Sequence, residues 1–128
     1  NRVNLIAAVL EKRVGLHLGN QDVYVNVAGG VKLDEPAIDL GVAVALASSY
    51  RDVPVDPTAV VLGEIGLTGE VRGISQAVKR IHEGKKLGFR TFVIPAANLA
   101  QGRDVAETKV LGVETVNEAF ETALGVSD

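Results

Sequence analysis

The pattern of apolar and polar positions divides the first half of the chain into a helix, a strand and a second helix. Apolar residues recur every three or four positions over residues 1–13, which predicts an amphipathic helix that ends before Gly15. Apolar and polar residues alternate over residues 22–28, which predicts a strand. Residues 37–50 are apolar nearly all round and rich in small side chains, which predicts a helix buried against a sheet. Pro36 suits the first turn of this helix, where its missing N–H leaves no bond unmade.

The second half of the chain continues the alternation. Residues 67–70 have the form of a tight turn that leads into a strand around Val71. Residues 75–87 predict a helix that Gly88 ends, and residues 115–118 have the form of a capping box that opens the last helix. Three further short apolar runs predict strands: residues 59–63, 91–94 and 109–113. Because strands and helices alternate, we expect an α/β fold with a mixed β-sheet covered by helices.

Composition and charge narrow the class of protein. With 128 residues, 47% hydrophobic and 23% charged, the chain is predicted to form one globular domain over residues 1–128. The net charge of −3 argues against a protein that coats nucleic acid over its whole surface, but it is compatible with a local basic face. The sequence has no Cys, no apolar run long enough to span a bilayer and no signal sequence, so we expect a cytoplasmic protein without a membrane partner. Because it begins at Asn1 rather than Met, we also expect it to be a domain of a longer protein.

A cluster of basic residues is the first candidate for function. Five cations lie within twelve residues: Lys79, Arg80, Lys85, Lys86 and Arg90. One interpretation is structural, because lysines near the end of a helix complement its dipole and a solvated helix face is normally charged. The other interpretation is contact with the phosphates of DNA. Further arginines could also contact DNA, but the sequence pattern does not show where they lie: Arg2, Arg13, Arg51, Arg72 and Arg103.

Asp39 is a charge inside the otherwise apolar run of residues 37–50. The helix dipole favours a carboxylate in the first turn, and the alternative is a contact in a polar network or between subunits. The two histidines, His17 and His82, stand alone, which is more typical of surface or core residues than of metal ligands. No GxxxxGK nucleotide loop is present. The residues therefore predict no cofactor and no metal site in this domain.

Residues 22–46 and 63–95 resemble the proteolytic domain of Lon-type Ser-Lys peptidases, in the same order and at similar spacing. The family's nucleophilic Ser falls at Ala37, in the run Glu-Pro-Ala-Ile-Asp, and its Lys falls at Val78. The first segment needs a one-residue deletion, and without it the nucleophile position is Ile38, which is equally inert. The resemblance implies a Lon-protease-like fold, of the class of the second domain of ribosomal protein S5, without the peptidase activity.

A Ser-Lys dyad needs a hydroxyl and a neutral amine within hydrogen-bond reach. Lys79 does not replace the missing amine at Val78, because one step along a helix turns the side chain by about 100°. We expect Ala37→Ser alone to restore no proteolysis, since Val78 supplies no base. A working peptidase with a misaligned dyad is kept as an alternative.

Several blocks of the sequence are also similar to the C-terminal domain of the RadA (Sms) family of bacterial DNA repair proteins: residues 1–16, 21–32, 48–52, 63–72 and 88–98. The resemblance implies a full-length protein that is a hexameric, RecA-like, DNA-dependent ATPase with an N-terminal zinc finger and that drives branch migration. The zinc-binding cysteines and the nucleotide loop are absent here, so ATP, Mg and Zn are expected only in the missing parts of such a protein.

For this domain, the resemblance implies a scaffold for a homo-oligomer, expected to be a hexamer, that binds double-stranded or branched DNA. The DNA contacts are predicted to come from the basic cluster: Lys79, Arg80, Lys85, Lys86 and Arg90. A pure oligomerisation module without DNA contact is the second alternative.

Overall fold

The computed structural model describes two stretches of the chain: residues 2–14 and 35–124. Helix α1, Arg2–Val9, continues into a π-helical turn at Leu10–Val14. The predicted helix over residues 1–13 is therefore confirmed where the structure describes it. The predicted strand over residues 22–28 lies outside the described residues.

The later elements alternate as the sequence pattern predicts. After a 3-10 turn at Pro36–Ile38, the helices are α2 (Asp39–Arg51), α3 (Ala77–Lys86), α4 (Leu99–Gly102) and α5 (Val116–Leu124). The strands are β1 (Ala59–Val61), β2 (Glu64–Ile65), β3 (Val71–Arg72), β4 (Thr91–Pro95) and β5 (Lys109–Val113). The strands predicted after residue 58 and the two predicted central helices are confirmed, with ends that differ by no more than two residues. None of the helices in the two described stretches is long and apolar enough to cross a membrane.

A three-stranded parallel sheet, in the order β1-β4-β5, forms the centre of the described fold. Strands β2 and β3 form a separate antiparallel hairpin. Helix α3 precedes β4 and helix α4 precedes β5, and because parallel crossovers are right-handed, both helices cover the same face of the sheet. The predicted fold class, an α/β domain with a sheet covered by helices, is confirmed.

Strand β4 separates two apolar clusters. Phe92 and Ile94 pack with Ile81 and Val105 under α3 and α4, and we name this cluster the α3 layer. Val93, the residue between them, packs on the opposite face in a larger cluster built by α1, α2 and α5. We name that larger cluster the main core. The alternation follows from strand geometry, in which successive side chains point to opposite faces.

Helix α3 lies close to the sheet because Gly84 faces the ring of Phe92. A Cβ atom at Gly84 would lie 2.6 Å from Cε2 of Phe92, nearer than real Cβ atoms approach other atoms. Glycine inside a helix costs about 1 kcal/mol relative to alanine. The close packing of Phe92, which is fully buried, offsets that cost.

Asp39 connects α2 to the β hairpin. It is the first residue of α2, it is 1% exposed, and its Oδ2 atom accepts a hydrogen bond of 3.1 Å from the N–H of Ile65. Two backbone bonds of 2.9 Å reinforce this connection, since Gly63 donates to the carbonyl of Ala37 and Leu40 donates to the carbonyl of Gly63. Asp39 therefore combines the first-turn position with the polar-network contact that the sequence left open.

The predicted capping box at the last helix is confirmed in one of its two bonds. The hydroxyl of Thr115 accepts a hydrogen bond of 3.1 Å from the N–H of Glu118, as the motif requires. The carboxylate of Glu118 accepts instead from the N–H of Glu114, at 2.6 Å, one residue before the expected donor. Both side chains of the motif therefore bond to the backbone at the start of α5, but Glu118 bonds to Glu114 instead of Thr115.

Candidate functional site

A cleft of about 200 Å³ opens beside the N-terminus of α2. The 3-10 turn that precedes α2 forms one wall, and residues 73–75, which precede α3, form the other. Ala37, the predicted nucleophile position, lines this cleft and is 4% exposed. Its side chain is a methyl group, without a hydroxyl. Ile38, the alternative position, is half-buried and packs against the main core.

Val78, the predicted position of the lysine, faces a different environment. It is half-buried and packs against the α3 layer. The cleft is lined instead by Ile74 and Ser75, which precede α3, and by Arg80, which lies within α3. The structure therefore brings Ala37 into the cleft and places Val78 against the sheet.

Arg80 closes one side of the cleft. Its Nη2 atom lies 2.5 Å from the Oε1 atom of Glu35, and its Nε atom donates a 2.9 Å hydrogen bond to the carbonyl of Ser75. The Arg80 side chain is 28% exposed, so this ion pair is partly shielded from water. A residue predicted to contact DNA is thus engaged within the domain.

Asn98 fixes the wall of the cleft formed by residues 73–75. It is 6% exposed, its Oδ1 atom accepts a 2.9 Å bond from the N–H of Ile74, and its Nδ2 atom donates a 3.0 Å bond to the carbonyl of Ile74. Sequence reasoning missed this residue. A lone Asn after a strand looks like any polar loop residue, and its partner lies 24 positions away.

The remaining cations of the predicted cluster divide into paired and exposed side chains. The Nζ atom of Lys85 lies 3.4 Å from Oε1 of Glu107. Lys79 and Lys86 are exposed, and neither has a carboxylate within 4.0 Å among the described residues. Arg90 is exposed and donates only to backbone carbonyls, which leave its charge uncompensated.

Lys79 and Lys86 lie on the same side of α3. They are seven residues apart, which corresponds to two helical turns and a separation of about 10 Å along the axis. Arg90 lies after the same helix, directly before β4 begins at Thr91. We name these three residues, Lys79, Lys86 and Arg90, the α3 cations. The outward face of α5, on the opposite side of the sheet, carries acids instead: Glu118 and Glu121.

Two of the arginines that the pattern left unplaced have structural contacts. The guanidinium of Arg51 lies over the ring of Phe120, 5.3 Å from its centre. Arg72 pairs with Glu70 at 3.0 Å. The hydroxyl of Thr68 also donates to Glu70, and this bond is the main cause that lowers the pKa of Glu70 from 4.5 to about 2.

Residues suited to a metal ion are not grouped in the described part of the chain. Within residues 2–14 and 35–124, no three His, Asp or Glu side chains lie close enough together to hold one. The cleft beside Ala37 contains the carboxylates of Glu35 and Glu64 and the guanidinium of Arg80. Chemically, the described surface offers ion pairing and hydrogen bonding.

Comparison with known proteins then assigns the family. Residues 2–98 match the family model described as subunit ChlI of Mg-chelatase. The chain belongs to this family. It is 57% identical over 125 residues to the DNA repair protein RadA of Halalkalibacterium halodurans, which covers 98% of this chain and 27% of that protein. It is 56% identical over 125 residues to the DNA repair protein RadA of Bacillus subtilis, with the same coverage.

A third relative, the DNA repair protein RadA of Streptococcus pneumoniae, is 53% identical over 120 residues, which are 94% of this chain and 29% of that protein. The predicted resemblance to the Lon-protease-like domain of RadA-type proteins is confirmed by these matches. The chain spans less than a third of the length of each of these relatives. Within the ChlI family, its sequence is thus similar to a segment of DNA repair proteins.

Proposed function

We propose that this chain is a proteolytically inactive domain of a RadA-type DNA repair ATPase, that it helps to assemble a hexamer, and that it contacts double-stranded DNA during branch migration. The observation that carries the DNA contact is the set of α3 cations, whose charges no described carboxylate compensates. The names of the relatives support the repair role. ATP, Mg and Zn would act in other parts of the cytoplasmic full-length protein, outside this domain.

The residues at the two predicted dyad positions support the proposal that the domain is not a peptidase. Ala37 has no hydroxyl, and Val78 packs in an apolar environment. Ser75 lines the cleft and has a hydroxyl, but the neighbouring Arg80 cannot accept its proton, because a guanidinium stays protonated in proteins. We therefore expect no acyl-enzyme to form in this cleft.

The peptidase alternative is tested with Ala37→Ser and a casein substrate. We expect no cleavage by the parent chain or by the variant, since Val78 supplies no amine and the nearby carboxylate of Glu35 is held in an ion pair with Arg80. A serine-reactive phosphonate probe, followed by mass spectrometry, checks for any hydroxyl that is activated elsewhere. Stoichiometric labelling of the parent chain, or casein cleavage by the variant, would overturn the assignment.

DNA contact through the α3 cations follows from simple electrostatics. Each Lys or Arg that neutralises a phosphate releases counterions, and the logarithm of the binding constant then falls with the logarithm of salt by about 0.9 per contact. Two or three contacts give weak binding to one domain. A ring that presents the same helix several times would add these contacts by avidity.

The test replaces Lys79 and Lys86 by Glu, and leaves Arg80 and Lys85 unchanged because they hold ion pairs within the domain. The matched control replaces Lys12 and Arg13 by Glu, since both are exposed and belong to the π-helical turn after α1 rather than to α3. Both variants change the net charge equally. Fluorescence anisotropy with a duplex and with a four-way junction, over a salt series, measures binding, and light scattering in the same buffers measures assembly.

We expect the α3 variant to lose at least about tenfold in affinity and about 1.8 in the salt slope, while the control keeps most of its binding. An equal loss in both variants would mean that only the net charge matters. Unchanged binding by the α3 variant would exclude α3 as the DNA contact. If the parent chain assembles but ignores DNA, the domain is an oligomerisation module.

A further inference from the structure

Two leucines are far more exposed than other large apolar residues of the described chain. Leu67 is 65% exposed and Leu87 is 78% exposed. A single exposed leucine is ordinary in soluble proteins. Leu87, however, borders a groove of about 450 Å³ whose other apolar walls are Val60, Leu62 and Phe89.

The groove runs between α3 and strand β1, an edge of the described sheet. Polar side chains of α3 form its rim, and they carry both signs of charge: Lys79, Arg80 and Glu83. An apolar floor with a charged rim is the usual anatomy of a protein interface. The volume exceeds that of one leucine side chain several-fold, so the groove has room for a turn.

Leu67 is presented on a turn that is already ordered. It lies between β2 and β3, where the N–H of Gly66 donates to the carbonyl of Glu70 at 2.9 Å and the N–H of Gly69 donates to the carbonyl of Gly66 at 3.0 Å. The N–H of Thr68 donates to the carboxylate of Glu70 as well. A preformed turn loses little conformational entropy when it docks.

The two leucines lie at opposite ends of the sheet. Strands β1 and β4 are parallel, with Ala59 beside Thr91. Leu87 comes shortly before β4 begins, whereas Leu67 comes after β1 has ended, so they lie beyond opposite strand ends. Because Leu67 stays 65% exposed, it does not fill the groove of its own chain.

We propose that the β2–β3 turn of one copy inserts Leu67 into the α3–β1 groove of a second copy. Donor and acceptor surfaces differ, so the contact is head-to-tail, and repetition of it closes a ring if the rotation allows. The charges fit, because the turn offers Arg72 to a rim that carries Glu83, which leaves Lys79 for the proposed DNA contact. This inference rests on the proposed self-association and names the surfaces that produce it.

One leucine and its neighbours bury less area than the roughly 1,200 Å² of a stable pairwise interface. A single contact is therefore weak, and assembly depends on concentration. In a closed ring each copy makes two such contacts, one through its turn and one through its groove, which stabilises the ring over a chain of the same length.

The experiment uses Leu67→Glu and Leu87→Glu, with Leu5→Glu as the matched control, because Leu5 is the third exposed leucine of the described residues. All three side chains are exposed, so folding is preserved, and circular dichroism with thermal unfolding checks it. Sedimentation velocity and light scattering measure the size of each variant over a concentration series. The two test variants are also mixed in equal amounts.

We expect each test variant to need at least tenfold more protein to assemble, and the control to behave as the parent chain. The mixture is decisive. Leu67→Glu keeps its groove and Leu87→Glu keeps its turn, so one contact per pair survives, and we expect one-to-one dimers that grow no further.

Three results would overturn this docking mode: test variants that assemble like the parent, a mixture that stays monomeric, or an equal loss in Leu5→Glu. In the first of these, self-association itself stands and uses another surface. A parent chain that is monomeric at every concentration would instead reject the proposed self-association, and the docking mode with it.

Discussion

The two faces of the sheet have very different apolar layers. Among the residues that the structure describes, the main core under α1, α2 and α5 contains sixteen buried residues and the α3 layer contains four, so the described burial is concentrated on one face. The α3 face carries the α3 cations and the apolar groove. The α3 cations and the groove thus lie on the side whose described apolar layer is thinner, whereas the turn that carries Leu67 is flanked by residues of the main core.

The largest expected effect comes from deleting the same side chain in each layer. Phe120 in the main core and Phe92 in the α3 layer are both at most 1% exposed. We expect Phe120→Ala to lower the free energy of unfolding by about 4–5 kcal/mol, and Phe92→Ala by about 3 kcal/mol, because a thin layer collapses more easily around a cavity. Urea unfolding of both variants measures the difference. A larger loss at Phe92 would contradict the idea that the main core dominates.

A smaller effect is expected at the buried amide that supports the cleft. Asn98→Ala leaves the N–H and the carbonyl of Ile74 without their partner, so we expect a loss of about 1–3 kcal/mol in the free energy of unfolding. Gln101→Ala is the control, because Gln101 is exposed and shares only one bond with Asn98. Hydrogen exchange at Ile74 should accelerate in the Asn98 variant alone. Equal loss in both variants would show that the Ile74 bonds contribute nothing measurable.

A gain in stability is expected at the end of α2, on the main-core face. Asp52 has a left-handed backbone with φ of 55°, and its carboxylate lies at the helix C-terminus, where the dipole disfavours an anion. We expect Asp52→Gly to raise the free energy of unfolding by about 0.5–1 kcal/mol. Asp52→Ala removes the charge and keeps the backbone strain, so it separates the two causes in thermal unfolding. A Gly variant less stable than Ala would remove the backbone argument.

The smallest effect is expected in the β2–β3 turn and depends on pH. The pKa of Glu70 is lowered to about 2 by its bond from Thr68 and by neighbouring donors. Since the folded-state pKa is depressed, the contribution of the carboxylate is present above about pH 4.5 and disappears as the pH falls through 2. Glu70→Gln should flatten this part of the melting-temperature profile, whereas Glu121→Gln, an exposed change on α5, should not. Parallel profiles for all three proteins would contradict the turn geometry.

The sequence predicted most of the fold because the relevant signals are local. The apolar run that became α2, and the cap residue Thr115 before α5, act on their immediate neighbours. Strand order and the two layers needed the structure, since which strands pair depends on residues far apart in the chain. The capping-box motif likewise does not predict that Glu118 accepts its bond from Glu114.

The candidate site was only partly predictable. Spacing located the basic cluster, but it could not show that Arg80 turns to Glu35 and Lys85 to Glu107, which leaves the smaller set of α3 cations. The resemblance gave Ala37 and Val78 the two dyad positions, and only the structure shows that Ala37 lines the cleft and that Val78 packs against the α3 layer. The exposure of Leu67 and Leu87 also required coordinates, because leucines in the sequence are expected to be buried.

Gly84 determines how far the outer surface of α3 lies from the sheet. Any side chain there would press on the ring of Phe92 and lift α3 away from the strands. The lysines on the outside of the helix and the walls of the groove would then rise together, although none of them had been changed. The absence of a Cβ atom at Gly84 thus sets the distance between α3 and the sheet. A substitution at this buried position would therefore change the binding of any partner that contacts the outer surface of α3.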